Sequence, residues 1–180
     1  DWLPSGRPDR GLKGFVPALI AAGCLLVLPL VASQAAAESL LIDTDRSQAD
    51  FELRALLVKR IGGDFGRVEG VIERDSVHGL FGVDVRIAAD SVRMPKETYA
   101  QWARSPDFFS AERHPWIRFS ADDVPERLLR EGGRVRGALT LRGVTREIGF
   151  EIEPASCPRP GLDCAVRAHG AVDRSDFGME

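Results

Sequence analysis

The sequence predicts an all-β domain whose strands pair antiparallel and coil into a barrel. Three observations carry that expectation. Apolar and charged residues alternate with a period of two in run after run, most cleanly from Phe81 to Ala88, as strands with one face inside and one in water must. The runs lie close together with turn residues between them, and a single helical stretch is too little for the crossovers of a parallel sheet. Gly63, Gly66, Gly70, Gly82 and Gly137 fall in or beside the runs, where glycine weakens pairing but permits bulges and sharp coiling. The glycines favour a closed barrel over a sandwich.

The elements follow in order. Residues 1–37 read as a secretory signal peptide. Arg7, Arg10 and Lys13 form a basic start, Phe15 to Ala32 is apolar, and Ala35-Ala36-Ala37 is a small-residue exit. Cleavage before Glu38 is expected, leaving one domain over residues 38–180. An uncleaved anchor fits the length of the apolar run as well, and Cys24 follows a faint lipoprotein-like stretch, Ala21-Ala22-Gly23. In the first strand Phe51, Leu53, Ala55 and Leu57 alternate with Glu52, Arg54 and Leu56. Gly62-Gly63-Asp64 then reads as a turn, with a strand from Phe65 to Ile72 after it. Phe81, Val83, Val85 and Ile87 mark the next strand. Pro95 opens the one helical stretch, Lys96 to Arg104, with Tyr99 and Trp102 on one face. Asp107-Phe108-Phe109 lies on the polar connection behind it.

Trp116 to Ala121 is again a strand. After Gly132-Gly133, Val135, Gly137, Leu139 and Leu141 alternate with arginines and Thr140. Arg142-Gly143 turns the chain, and Ile148, Phe150 and Ile152 alternate with Glu147, Glu151 and Glu153. Cys164 to Val172 is the last expected strand. Cys157 and Cys164 bracket a proline-rich loop before it. In an oxidising compartment they would close a small disulfide; free thiols or a metal site are the other readings.

Catalytic chemistry finds little support. No nucleophile elbow, zinc-protease or P-loop motif occurs. His78, His114 and His169 are not spaced as metal ligands. Carboxylates such as Asp43, Asp45, Asp75, Asp122 and Asp123 fall at strand ends and turns, where aspartate serves the backbone. A net charge of −3 without a basic block speaks against nucleic acid. The expectation is therefore a binding protein and not an enzyme, with no cofactor and no metal. The alternatives are a hydrolase using strand-end carboxylates and a protein-binding module.

The expected inward set is Phe51, Leu53, Phe65, Phe81, Val83, Val85, Phe119, Leu139, Leu141, Phe150 and Ile152. A barrel of about eight strands can fill its interior with such side chains or leave room for one ligand. The residues alone do not choose between these.

Four stretches also resemble a known pattern. They are Ile42-Asp43-Thr44-Asp45-Arg46-Ser47-Gln48-Ala49-Asp50-Phe51, Gly63-Asp64-Phe65-Gly66-Arg67-Val68-Glu69-Gly70, Asp107-Phe108-Phe109-Ser110-Ala111-Glu112-Arg113-His114-Pro115, and Gly137-Ala138-Leu139-Thr140-Leu141-Arg142-Gly143-Val144-Thr145-Arg146. Together they resemble the YceI-like family of periplasmic polyisoprenoid-binding proteins. Arg46 stands where that family usually has histidine. The resemblance implies a lipocalin-like barrel in the periplasm, with an apolar cavity for an isoprenoid chain such as that of a polyprenyl quinone or polyprenyl phosphate. It turns the inward residues Phe51, Leu53, Phe65, Phe81, Val83, Val85, Phe119, Leu139, Leu141 and Phe150 into ligand contacts. Phe108 or Phe109, just behind the helical stretch, either closes one end of the barrel against the ligand or anchors its loop onto the sheet. Contact with a membrane would come only through ligand delivery or an uncleaved signal. Arg174 to Met179 resembles a segment that is followed by a final strand in the family, while the sequence stops at Glu180. The expectation is an unpaired edge beside the first strand, open to a homodimer.

Overall fold

The structure, a computed structural model, describes residues 38–55 and 59–179. The expected signal peptide, Leu56 and Leu57 lie outside the described residues. Ten strands are present among them: β1 (Glu38–Leu41), β2 (Ala49–Ala55), β3 (Lys59–Phe65), β4 (Val68–Asp75), β5 (Leu80–Ala88), β6 (Val92–Arg93), β7 (Trp116–Pro125), β8 (Gly133–Leu141), β9 (Val144–Ile152) and β10 (Ala168–His169). Helix α1 spans Glu97–Arg104 and α2 spans Leu128–Glu131. Short 3-10 turns cover Ala89–Ser91 and Arg174–Phe177.

Every strand pairing is antiparallel. A seven-stranded sheet runs β1-β4-β5-β7-β8-β9-β10, and a three-stranded sheet runs β2-β3-β6. The large sheet curls into half a barrel of the lipocalin-like kind. The chain steps from the small sheet to the large one at Gly66-Arg67. Their amide hydrogens are not orphaned there, because Gly66 donates to the Ser91 carbonyl at 3.0 Å and Arg67 to the Ser91 hydroxyl at 3.2 Å.

Three expectations are corrected. Gly62-Gly63 is not a turn but the middle of β3. A Cβ on Gly63 would stand 2.6 Å from the Phe51 ring and 3.0 Å from the Arg93 carbonyl. The glycine is there for close approach, which asks for the same residue as a turn. The strand expected from Phe65 to Ile72 is accordingly broken between β3 and β4. The last expected strand shrinks to Ala168–His169, which pairs only with Ile152 and Glu151. The loop before it is held locally by the Cys157–Cys164 disulfide and the bidentate Arg159–Asp163 pair. That pair holds the Asp163 carboxyl below its ordinary pKa. With residues 165–176 exposed, alternation there has no partner face to bury.

Elsewhere alternation decides which face is inside, since a slip of one residue would turn every apolar side chain to water. Arg142 and Gly143 both take positive φ, 52° and 74°, the two-residue hairpin geometry that matches strand twist. Two buried clusters result. The first holds Phe65, Val92, Phe108, Phe109, Ile117, Leu139, Leu141, Phe177 and Met179, with Phe51, Leu53, Val144 and Ile148 packed on it. The second holds Phe81, Ala121, Val124, Leu128 and Val135, with Ile72, Val83 and Ile152 beside it. Phe119 touches both.

A candidate apolar ligand site

The site is the strip of interior between these clusters. Backbone register lines up Gly70, Val85, Phe119 and Leu139 across β4, β5, β7 and β8. Val85 belongs to neither cluster. Val83, Val85, Phe119, Ile148 and Phe150 are only half-buried although they point inward. The Phe119 ring leans onto β8, where its Cζ lies 2.5 Å from the place a Cβ on Gly137 would take. Ile42 leans onto β4 in the same way, 2.9 Å from the Cβ position of Gly70. Phe150 meets Phe119 edge to face, with centroids 5.1 Å apart. Phe119 and Ile42 thus lie along the sheet on either side of Val85, which stays half-buried.

The structure brings the expected contact residues together unequally. Val83, Val85, Phe119 and Phe150 line the strip. Phe51 and Leu53 reach the interior from β2, half-buried against the first cluster. Phe65, Leu139 and Leu141 are sealed inside that cluster, and Phe81 inside the second. Phe108 is 1% exposed and Phe109 6%. Local chemistry places this pair. The chain after α1 folds back on the helix end, with Phe109 N–H donating to the Ala103 carbonyl at 2.9 Å and Ser110 N–H to Ser105 at 2.8 Å. From the distant β8–β9 hairpin, Arg142 donates to the carbonyls of Phe108 at 3.0 Å and Asp107 at 3.3 Å. Phe108 lies between Trp102 and Phe109, and Phe109 packs on Phe51 and Phe65.

Two arginines on the inward face were missed by the sequence reading. Arg74 pairs with Phe81 in register, and Arg146 with Leu139. One further step of each alternation, past Ile72 and before Ile148, would have found them. Arg74 bonds Glu126 at 2.7 Å and lies 3.9 Å from Glu38. Arg146 makes one hydrogen bond, to the carbonyl of its neighbour Thr145 at 3.3 Å.

The outer face is a lattice of satisfied charges. Arg86 bonds Glu69 at 2.7 Å, Arg118 bonds Asp84, and Trp116 lies under Arg67 and Arg86. A shallow groove of about 730 Å³ runs over these residues, walled by Leu41 and Thr44. The Glu73 and Asp122 carboxylates flank Gly82, each with an oxygen 3.9 Å from its Cβ position, and both residues are exposed. Among the described residues no group of His, Cys, Asp and Glu is gathered as a metal requires.

A curled antiparallel sheet with an apolar interior and a charged exterior defines the lipocalin-like class of β-fold. Within it the chain belongs to the family of the YceI-like domain, whose model matches residues 41–180. It is 24% identical over 142 residues to a UPF0312 protein of Staphylococcus aureus strain N315, covering 76% of this chain and 80% of that one. Among solved structures it is similar to BcnA of Burkholderia cenocepacia, with a TM-score of 0.61 at 17% identity over 77% of this chain and 84% of the other. That likeness concerns the fold alone. A polyisoprenoid binding domain from Saccharophagus degradans superposes with a TM-score of 0.41 at 16% identity, over 66% of this chain and 64% of that one; so loose a match carries no argument.

Proposed function

We propose that this protein binds the hydrocarbon chain of an isoprenoid lipid in its interior and carries it without chemical change. The observation that supports this best is the half-buried strip of Val83, Val85, Phe119 and Phe150 between two sealed clusters. Apolar side chains left within reach of water inside a domain are costly, at roughly 25 cal/mol per Å². A linear apolar ligand would cover them, and each methylene it buries contributes about 0.8 kcal/mol. Few polar groups face the strip, as suits a chain recognised by shape. A periplasmic location accords with the N-terminal segment.

Extraction of the purified protein into organic solvent, followed by mass spectrometry, tests the reading. The expected result is a co-purifying isoprenoid, or uptake of added polyprenyl quinone by the emptied protein. Reproducible absence of both overturns it.

A further inference from the structure

The apolar alternation from Val166 to Val172 has no partner face, yet the register for one is already begun. Ala168 lies opposite Ile152 and His169 opposite Glu151, and the Glu153 amide donates to the Arg167 carbonyl at 2.9 Å. Carried on by the same count, Gly170 would face Phe150, Ala171 would face Gly149 and Val172 would face Ile148. The ladder stops short of them. Among the described residues no hydrogen bond joins Gly170, Ala171 or Val172 to β9, and beyond His169 that edge of β9 has no strand paired to it.

The gap is small. The Gly149 carbonyl lies 3.0 Å from the place a Cβ on Gly170 would take, and the Phe150 ring 2.8 Å from it. Glycine lets the chain pass beside the ring, where a side chain would block it. Hydrogen-bonded pairs alternate along an antiparallel ladder. Arg167 and Glu153 form one, so His169 with Glu151 and Ala171 with Gly149 are the next two in line.

Both ends of the segment are fixed. The disulfide ties Cys164 to Cys157, and the Ala155 amide holds the start of that loop to the Leu129 carbonyl of α2 at 3.0 Å. At the other end Phe177 and Met179 are buried in the first cluster. Between these anchors residues 165–176 are exposed, Val166 and Val172 each by 38%. A segment with few backbone hydrogen bonds and few buried contacts opens and closes at little cost.

We propose that residues 170–172 are a strap that zips onto β9 when an apolar chain occupies the strip. The assignment rests on the lipid-binding reading above and adds how the site closes. Zipping orders three residues, at a cost in backbone entropy. It brings Gly170 and Val172 inward beside Phe150 and Ile148, which are half-buried. A chain lying against Phe150 then gains an apolar neighbour on the side away from Phe119. That contact exists only in the closed form, and such a difference is what lets a ligand shift the balance. The rung that closes runs from the Ala171 amide to the Gly149 carbonyl.

The experiment follows hydrogen exchange of the Ala171 amide with and without bound polyprenyl quinone. Binding is expected to slow it about tenfold or more, and this arm needs no substitution. Ala171→Pro removes the donor of the new rung without touching a hydrogen bond present in the described structure. It should release the quinone about tenfold faster than the wild type, with the stability of the lipid-free protein unchanged. Val172→Ser should speed release about threefold. Leu162→Ser, on the disulfide loop and 52% exposed, should leave it as it is. The proposal is overturned if the Ala171 amide exchanges equally fast in the free and loaded protein, or if Ala171→Pro releases at the wild-type rate. It is equally overturned if Leu162→Ser speeds release as much as Val172→Ser. Quinone uptake without a change at the strap leaves lipid carriage standing and removes the strap alone. Absence of uptake removes both.

Discussion

Phenylalanines occupy both the closed end of the interior and its middle, with opposite results. At the closed end Phe51, Phe65, Phe108 and Phe109 pack with ring centroids 4.6 to 5.5 Å apart, and a loop clamped by Arg142 presses Phe108 out of contact with water. In the middle Phe119 and Phe150 also meet edge to face, yet both remain half-buried. The difference lies in what stands opposite. The closed-end rings belong to a second layer, the β2-β3-β6 sheet and the α1 loop, which packs on Ile117, Leu139 and Leu141 of the large sheet, and two layers can exclude water. In the middle Val85 and Phe150 belong to neither cluster, and Phe119 only packs on the margins of both. Residue type is the same in both places, so packing partners decide whether an aromatic becomes core or wall.

The comparison breaks most easily at its closed end. Phe108→Ala should destabilise the fold by about 3–5 kcal/mol, read as a lowered denaturant midpoint, while the off-rate of bound lipid stays as in the wild type. A faster off-rate at unchanged stability would make Phe108 part of the wall. Val85→Phe tests the middle. A roomy strip accepts the larger side chain for less than about 1 kcal/mol and loses lipid uptake, whereas a packed one pays about 1–3 kcal/mol. The smallest effect concerns the tether behind the closed end. Asp173 accepts hydrogen bonds from the Ser175 N–H at 2.9 Å and its hydroxyl at 2.7 Å, at the start of the 3-10 turn that delivers Phe177. These bonds hold the Asp173 carboxyl below its ordinary pKa. A depressed carboxyl contributes stability above the unfolded value of about 3.9 and loses it as pH falls through the lower folded value. Asp173→Asn should therefore lower Tm slightly at neutral pH and bring the two proteins together once the pH has fallen below the lowered folded value. An equal gap at both pH values would show that the carboxylate charge does not matter.

Much of the fold was legible because strand side chains repeat every two residues. β5, β8 and β9 declare their buried faces by counting, and Arg142-Gly143 declares its hairpin by backbone preference. Gly62-Gly63 misled because a glycine that makes room for a ring looks the same as one that turns a chain. The stretch from Cys164 to Val172 misled because alternation records what could be buried and not whether a partner arrives. That Val83, Val85, Phe119 and Phe150 point inward followed from periodicity alone. The anchoring of Phe108 did not, since it depends on a hydrogen bond from Arg142, 34 residues away. Arg146 was hidden by its own chemistry: a charged residue ends a run for a reader looking for apolar ones.

Gly63, Gly70 and Gly137 each lie under a neighbour's side chain, from Phe51, Ile42 and Phe119 in turn. Together they act as a gauge for the width of the interior. Each missing methyl lets a large group recline by a few ångströms, so the bore is set by what three residues lack. An alanine at Gly63 would push the Phe51 ring aside, whereas at Gly70 and Gly137 it would first meet the Asp84 and Ser120 carbonyls of the neighbouring strand and spread the sheet itself. The calibre of such a barrel can then shift in evolution through positions that never touch the ligand.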